Sequence, residues 1–429
     1  MAKMAPDGWA YYAREVAAGS EDYFVGHGEE PGRWIGAGCE AIGVAGIADE
    51  EGLARLFGGG RHPVCGIPLG RPFDPARSGS VAGYALSFSP PKSVSVLWAL
   101  ADPEITREVR GAHDAAVSVA LSFLEEHAAF TRRGHGGLIQ EDTSGLLAAA
   151  FVHRTSRAGD PQLHTHVLVA NKVRAASDSV WLALDGRELF EVQKAAGLVY
   201  KAGLRAELTS RLGVCWTQID VDGAAEIVGV PEELTAHFSK RRGQVTALAA
   251  GLVAEREEVL GRSLTSPERA VIHQLAAYQS RAAKSRSGES TAELRSRWRA
   301  EATAVAGDPE AWIAALANRH EPTPLRAVPR RPGAADDPAR RIISALEQAH
   351  STWGRSDLIE ALAVHVVPPA AGTADDVRRL LEVAADHILA QQEVVALDSL
   401  SPLDVGGHET RRDGMAPTSR HGGRRYSTW

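Results

Sequence analysis

The sequence predicts an α+β protein in which an antiparallel sheet of about five strands is covered by helices and followed by a largely helical C-terminal extension. Two apolar runs, at residues 145–155 and 163–173, are separated by a polar turn and are typical of neighbouring antiparallel strands. Apolar residues between 102 and 130 recur at near-helical spacing, which predicts a long amphipathic helix. Beyond residue 184 the pattern is mostly helical.

The other elements are predicted from local signals. Residues 1–80 are rich in Gly and aromatic residues, so only short elements and turns are expected there. The double proline Pro90–Pro91 ends one strand and precedes a new element. The remaining predictions are a strand at 84–88, an element at 92–100, and helical or helix-prone stretches at 184–212, 231–260 and 280–302.

A Pro-rich segment divides the chain. With 429 residues, the chain exceeds one ordinary core, so we expect either two domains or one domain with an extension. The predicted parts are a main domain at 1–320, a linker at 321–340, a helical tail at 341–399 and a final segment without regular structure at 400–429.

Composition narrows the class of protein. Apolar residues make up 44% and charged residues 24% of the chain, as in globular proteins. The net charge of -7 argues against a protein that coats DNA along its whole surface, although a local basic groove stays open. Because the sequence contains neither a signal peptide nor an uncharged apolar run of about 18 residues, we expect no membrane segment and a cytoplasmic location.

Three histidines lie on the two central strands. His164 and His166 alternate along one strand, so they point to the same face about 6 to 7 Å apart. An antiparallel neighbour can bring His153 beside them. An isolated pair of this kind is more often a pair of ordinary strand residues, and closed structural zinc sites usually include Cys. Three neutral imidazoles nevertheless suit a divalent ion with a position open for a phosphate oxygen.

Three tyrosines near the N-terminus are candidate nucleophiles: Tyr11, Tyr12 and Tyr23. A tyrosine hydroxyl has a pKa of about 10 and attacks poorly at neutral pH unless a metal and a base assist it. Attack on a phosphodiester would give a phosphotyrosine ester. A Tyr-Tyr pair alone is more often a core or interface element, so it gains meaning only beside the metal site.

Four stretches resemble the MobF class of conjugative relaxases, the TrwC-like family of HUH endonucleases. They occur in the family's order over roughly residues 5–300, and are YY and EDYF with GRWIGAG, FSPPKSVSVLWAL, the HDAA helix from His113, and HRTSRAGDPQLHTHVLVAN. The resemblance implies that residues 1–320 form a relaxase domain. Such a domain nicks one strand at an origin of transfer and becomes linked to its 5′ phosphate through tyrosine.

The resemblance also implies roles for the site residues. His153, His164 and His166 would bind a divalent metal, Mg²⁺ or Mn²⁺, with Zn²⁺ as a further option. Tyr11 would be the first nucleophile, and Tyr12 would be a possible substitute for it. Tyr23 would be the nucleophile of a second cleavage. The implied partners are single-stranded DNA at an origin of transfer, relaxosome accessory proteins and the coupling protein of a type IV secretion system.

Two departures from the family pattern affect the expected activity. Ala85 stands where the family usually carries an aspartate that orients a metal-binding histidine, and such a loss typically costs roughly 10- to 100-fold in metal affinity or activity. The Gly-rich stretch at Gly58 lacks the Lys and Ser or Thr of a phosphate-binding loop, so no helicase activity is expected. The ending HGGRRYSTW resembles the junction ahead of the family's helicase, so the tail at 341–399 would precede a missing helicase.

Single-stranded DNA needs a cationic groove and aromatic faces on which bases stack. The candidate aromatic faces are Trp34 and Trp181, which read equally well as core residues. For most of the candidate cations, the alternative interpretation is a solvated residue at a helix end. For Lys92, which follows the double proline, the alternative is an exposed surface charge. The candidate cations are Lys92, Arg132, Arg133, Lys240, Arg241 and Arg242.

The sequence therefore predicts a conjugative relaxase that acts by metal-assisted transesterification, with Tyr11 attacking the scissile phosphate. A rolling-circle replication initiator would use the same chemistry. A catalytically impaired DNA-binding protein is the alternative that Ala85 raises. A plain metal-dependent hydrolase would instead leave a 5′ phosphate derived from water.

Overall fold

A computed structural model describes residues 1–12, 30–73, 79–280, 289–317, 338–365, 372–390, 394–397 and 425–428. The strands are β1 (Ala2–Met4), β2 (Arg33–Ile35), β3 (Gly83–Phe88), β4 (Phe130–Arg133), β5 (Ile139–Asp142), β6 (Ala148–Thr155), β7 (Pro161–Ala170), β8 (Val173–Arg174), β9 (Trp181–Leu182), β10 (Val394–Leu397) and β11 (Arg425–Thr428).

The helices alternate with these strands in the first half of the chain and follow them in the second. They are α1 (residues 9–12, as far as it is described), α2 (Ala37–Glu40), α3 (Glu50–Leu53), α4 (Lys92–Leu100), α5 (Pro103–Ala128), α6 (Gly186–Leu212), α7 (Glu232–His237), α8 (Lys240–Leu260), α9 (Ser266–Gln279), α10 (Thr291–Ala306), α11 (Pro309–Ala317), α12 (Pro338–Ala349), α13 (Arg355–His365) and α14 (Ala374–Leu389).

Five strands form the central sheet in the order β1-β3-β7-β6-β2, and every neighbouring pair is antiparallel. The predicted fold class is confirmed, including the helical C-terminal region. The predicted central pair corresponds to β6 and β7, whose long apolar runs are buried on both faces because the sheet is covered on both sides.

The two faces of the sheet are covered by different parts of the chain. On one face, Val152 and Val167 pack into a large core with α4, α5 and α6. On the other face, Phe151 and Leu168 pack against the N-terminal segment. Trp34 belongs to this second core and is only 8% exposed, so the prediction that it offers a base-stacking surface is wrong.

The long helices begin at strong capping signals. The side chain of Asp102 accepts hydrogen bonds from the backbone N–H groups of Glu104 and Ile105, and Pro103 opens α5. An aspartate at this position satisfies donors that have no partner inside the helix, and proline fits the first helical turn. The result is a 26-residue helix that packs along α6 and whose buried face belongs to the large core.

The tail helices α12, α13 and α14 share the core of the main body. Ile342, Leu358 and Leu381 are buried in the same cluster as the sheet residues. The backbone N–H of Ala374 donates to Glu207 Oε1 of α6 at 2.8 Å. The domain boundaries remain a prediction, since most of the proposed linker at 321–340 lies outside the described residues.

A two-stranded sheet near the end of the chain corrects the prediction for this region. The tail was expected to be helical to residue 399 and to lack regular structure from 400 to 429, yet Val394–Leu397 pairs antiparallel with Arg425–Thr428. Valine, tyrosine and threonine favour strands, and a partner distant in sequence supplies the pairing that a local pattern does not reveal. Of the helices that the structure describes, none is long and apolar enough to cross a membrane.

Candidate active site

Strand pairing brings the three predicted histidines together. His153 on β6 lies directly opposite His164 on β7, and His166 follows two residues later on the same face. The ring centroids are 5.2 Å apart for His153 and His164, 5.1 Å for His153 and His166, and 5.0 Å for His164 and His166. His153 is buried and the other two are partly exposed, so the cluster opens on one side.

Hydrogen bonds orient two of the rings and select the tautomer of one of them. His164 Nδ1 lies 2.9 Å from the carbonyl oxygen of Gln162, and because a carbonyl only accepts, Nδ1 carries the proton. His166 Nδ1 lies 2.8 Å from Ser87 Oγ, a hydroxyl that can either accept from or donate to the ring. His164 therefore keeps its lone pair on Nε2, and the contact of His166 is compatible with the same tautomer. Neutral imidazoles of this kind form a donor set that fits a divalent transition-type ion.

Ser87 accounts for part of what Ala85 lacks. In the β3–β7 register, Ser87 lies opposite His166, whereas Ala85 lies opposite Leu168 and packs against the apolar core of that face. The Ser87 hydroxyl therefore orients a ring that the methyl group of Ala85 is unable to hold. Sequence reasoning missed Ser87 because its role depends on strand register, although its position two residues after Ala85 on the same face was available as a signal.

Helix α1 places two of the candidate tyrosines on the histidine face. The ring of Tyr12 packs edge-on against His166, with centroids 5.1 Å apart, and lies 6.2 Å from that of Phe151. Tyr11 is 40% exposed, and its hydroxyl accepts a hydrogen bond from Arg157 Nη2 at 2.8 Å. Sequence reasoning missed Arg157, which lies in the turn between β6 and β7. The third candidate, Tyr23, lies outside the described residues.

A single cavity of about 870 Å³ joins these groups. Its lining includes the histidine triad, the tyrosine pair and residues at the start of α8. Polar and charged side chains dominate the described lining, as expected for a site that binds a nucleic acid backbone. Besides the triad and the tyrosine pair, the lining includes Ser87, Lys92, Arg157, Asp160, Gln162, Glu226, Arg241, Arg242 and His273.

Lys92 is partly buried and held by hydrogen bonds, so it is not a freely exposed surface charge. It opens α4, and its Nζ donates to the carbonyl oxygen of Pro161 at 2.9 Å and to Gln162 Oε1 at 2.6 Å. Burial lowers the pKa of Lys92 to about 8, against the smaller opposing effects of Asp160 and Glu226. Lys92 therefore fixes the start of β7 and carries a charge that is lost at mildly alkaline pH.

A basic cluster at the start of α8, residues 239–244 (SKRRGQ), borders the cavity. Lys240 Nζ forms ion pairs with Glu301 at 2.8 Å and with Asp160 at 3.3 Å, so its charge is largely compensated. Arg241 donates to backbone carbonyls, including that of Ala277 at 2.7 Å. Arg242 is exposed and lines the cavity. The structure thus brings Arg241 and Arg242 to the site and uses Lys240 to join α8 to its neighbours.

Arg132 and Arg133 lie elsewhere, on β4 of a separate two-stranded sheet. Arg132 pairs with Asp185 at 2.9 Å, and Arg133 pairs with Asp178 at 2.6 Å and with Glu141. Neither arginine is among the described residues that line the cavity. The structure does not bring these two predicted DNA-binding residues to the site. Trp181 is likewise absent from the described lining and packs against the N-terminal core.

Comparison with known proteins gives consistent matches. The family model for the TrwC relaxase matches residues 5–305. The multifunctional conjugation protein TraI of Escherichia coli is 34% identical over 228 residues, which cover 52% of this chain and 12% of that protein. TraI of the K12 strain is 26% identical over 402 residues, which cover 90% of this chain and 21% of that protein. The chain thus spans about a fifth or less of the length of these relatives.

Solved structures of the conjugative relaxase TrwC resemble this fold. One is a complex with a 27-mer DNA comprising the recognition hairpin and the cleavage site, with 28% identity and a TM-score of 0.56. Another is a metal-bound complex with oriT DNA, with 27% identity and a TM-score of 0.55. Both similarities cover 72% of this chain and 98% of the other.

Proposed function

The chain belongs to the TrwC relaxase family, and from this premise we propose that it nicks one DNA strand at an origin of transfer by tyrosine transesterification. The observation that carries the proposal is the shared cavity of the tyrosine pair and the histidine triad. A nucleophile and a metal-binding cluster in one cavity can act on the same phosphodiester, because both reach groups on a single phosphorus atom.

In the proposed reaction, Tyr11 Oη attacks phosphorus and the bond from phosphorus to the 3′ oxygen breaks. The phenol loses its proton and the departing 3′ oxygen gains one, so the products are a 5′-phosphotyrosine ester and a 3′ hydroxyl. Arg157 donates a hydrogen bond to Tyr11 Oη. A guanidinium in this position stabilises the developing phenolate and orients the oxygen.

We assign the metal to His153, His164 and His166. The hydrogen bonds that orient His164 and His166 and the open side of the cluster support this assignment. When bound, a divalent ion would supply positive charge to the non-bridging oxygens of the scissile phosphate. Mg²⁺ and Mn²⁺ are the proposed ions in activity, with Zn²⁺ as a third option, and nitrogen donors favour the transition ions over Mg²⁺.

The proposed substrate is single-stranded DNA at an origin of transfer. Arg241 and Arg242 line the same cavity as the triad, and we expect them to contact phosphates near the scissile bond. A relaxase of this class would work in the cytoplasm with relaxosome accessory proteins and the coupling protein of a type IV secretion system. These partners are proposed from family membership alone.

The test is the capture of a covalent adduct. Labelled single-stranded oligonucleotides, tiled across the genetic element that encodes the chain, are incubated with the protein and Mn²⁺ and resolved in SDS. We expect a labelled adduct from one oligonucleotide. Tyr11→Phe should strongly reduce it, leaving only what the substitute nucleophile Tyr12 can form, whereas the matched control Tyr12→Phe, which keeps the ring beside His166, should retain most of it.

The other outcomes identify the alternatives. Binding without an adduct would indicate the impaired DNA-binding protein that Ala85 raises. Cleavage that leaves a free 5′ phosphate would indicate a hydrolase. An adduct that forms only at a replication origin would indicate a rolling-circle initiator. Each of these results would overturn the proposed relaxase function.

A further inference from the structure

The face of β7 that points away from the cavity carries a buried polar group between the two metal-ligand candidates. Thr165 lies between His164 and His166, points into the large core and is 2% exposed. Its Oγ1 lies 2.8 Å from Nε2 of His113, a fully buried residue of α5. His113 Nδ1 in turn lies 2.8 Å from the hydroxyl of Tyr200 on α6.

This chain of hydrogen bonds is complete. Burial lowers the pKa of His113 to about 3, so the imidazole is neutral at every pH at which the protein would work. A neutral imidazole offers one donor and one acceptor, and the hydroxyls of Thr165 and Tyr200 can complement either tautomer. A fully satisfied buried network specifies one arrangement of its elements, because any displacement leaves a polar group without a partner.

The hydrogen-bonded series Thr165–His113–Tyr200 joins the central sheet to helices α5 and α6. Helices α5 and α6 pack along each other and span 26 and 27 residues, so they form a rigid base. Thr165 is also paired with Val152, which precedes His153 on β6. The hydrogen bond at Thr165 therefore fixes the position, relative to the helices, of the strand segment that carries His164 and His166 and lies next to His153.

We propose that His113 is a positioning residue, which sets the geometry of the histidine triad from the core side through Thr165. The proposal rests on the assignment of the metal to the triad. None of the three side chains is among the described residues that line the cavity, so their effect on the metal would be exerted through the strand. Such support would hold the ligands within the narrow tolerance that a metal site requires.

The test measures Co²⁺ binding to the full chain by the visible absorption of the ion, alongside thermal unfolding. Thr165→Val preserves shape and removes the hydroxyl, and we expect it to weaken Co²⁺ binding about tenfold, the lower end for loss of supporting hydrogen bonds. Thr165→Ser keeps the hydroxyl and should bind within about twofold of the unaltered chain. Tyr200→Phe removes the hydroxyl at the far end of the hydrogen-bonded series and should weaken Co²⁺ binding by about threefold.

Thr131→Val is the matched control. Thr131 is equally buried, and its Oγ1 donates to the carbonyl oxygen of Ala183 at 2.8 Å, in a part of the fold remote from the triad. We expect it to lower the unfolding temperature about as much as Thr165→Val while leaving Co²⁺ affinity unchanged.

Two results would overturn the inference. One is equal Co²⁺ affinity in Thr165→Val and Thr131→Val despite similar destabilisation. The other is the absence of a Co²⁺ spectrum in the unaltered chain, which would also contradict the metal assignment. A chain that binds Co²⁺ but forms no DNA adduct would contradict only the proposed nicking activity, so the two failures are distinguishable.

Discussion

The two faces of β7 differ in what surrounds their side chains. On the cavity face, His164 and His166 are partly exposed, and polar groups from the neighbouring backbone and β3 hold their rings. On the core face, Thr165 and Val167 are buried, and Thr165 forms a polar contact with His113 of α5. One strand therefore contributes to the packed core on one side and carries two of the proposed metal ligands on the other.

The difference teaches that substitutions on the two faces should have separable effects. Side chains on the core face contribute to stability by burial of apolar surface. On the cavity face, His164 and His166 are partly exposed and bury little such surface, and their polar partners orient them instead. The predictions that follow test this separation, from the largest effect to the smallest.

The largest effect is expected from loss of a ligand. His166→Ala should weaken Mn²⁺ binding by more than about 100-fold and abolish the covalent adduct, with little change in unfolding temperature. Val169→Ala, on the core face of the same strand and fully buried, should cost about 2 kcal/mol of stability and leave metal affinity unchanged. Calorimetric titration with Mn²⁺ and thermal unfolding check both variants. Equal losses of stability in the two would break the separation.

The next effect concerns the orientation of the same ring. Ser87→Ala removes the oxygen that lies 2.8 Å from His166 Nδ1, and we expect metal affinity to fall about tenfold. Ser87→Thr keeps the hydroxyl and should restore most of the affinity. Ala85→Asp supplies the carboxylate typical of the family, and in the Ser87→Ala background it should recover part of the loss. Unchanged Mn²⁺ titrations in Ser87→Ala would show that the hydroxyl has no role in binding.

A further cavity-face effect separates nucleophile activation from metal binding. Arg157→Gln removes the cation that donates to the Tyr11 hydroxyl, so the rate of adduct formation should fall, by about tenfold, with Mn²⁺ affinity unchanged. Rapid-quench measurement of the labelled adduct gives the rate. A parallel fall in metal affinity would mean that Arg157 supports the strand turn rather than the tyrosine.

The sequence predicted the elements whose signals are local. The alternating histidines of β7, the capped helix α5 and the apolar runs of the central strands all follow from patterns within a few residues. The contact of Ser87 with His166 depends on the register between strands that are 79 residues apart in sequence. The local pattern places Ser87 on the same face of β3 as Ala85, but only the pairing of β3 with β7 places it opposite His166.

Charge was harder to interpret than hydrophobic pattern. Arg132 and Lys240 were predicted to contact DNA because a sequence displays cations without their partners. In the structure, Asp185 pairs with Arg132, and Glu301 and Asp160 pair with Lys240. Paired cations attract phosphate weakly, since much of their field is already compensated. The three-dimensional position of carboxylates therefore decides which basic residues can serve as a DNA groove.

The smallest expected effect concerns the pH dependence of Lys92. Its pKa of about 8 in the folded chain is below the value of about 10.4 in an unfolded one. Between these values the unfolded state binds the proton and the folded state does not, so this group makes stability rise with pH. Lys92→Met should therefore reduce the gain in unfolding free energy between pH 8 and 10 relative to the unaltered chain, by about 1 to 3 kcal/mol.

Loss of the Lys92 proton, which raises the unfolding free energy, should lower the affinity for single-stranded DNA. Above pH 8 the cavity loses the charge of Lys92, so the affinity for single-stranded DNA should fall by a small factor, about twofold to fivefold, between pH 7 and 9. The loss should be absent in Lys92→Met. Fluorescence anisotropy at constant ionic strength measures it, and chemical denaturation at the same pH values measures stability. As Lys92 loses its proton, the unfolding free energy should rise and the DNA affinity should fall. A change of both in the same direction would contradict the assignment of the charge to Lys92.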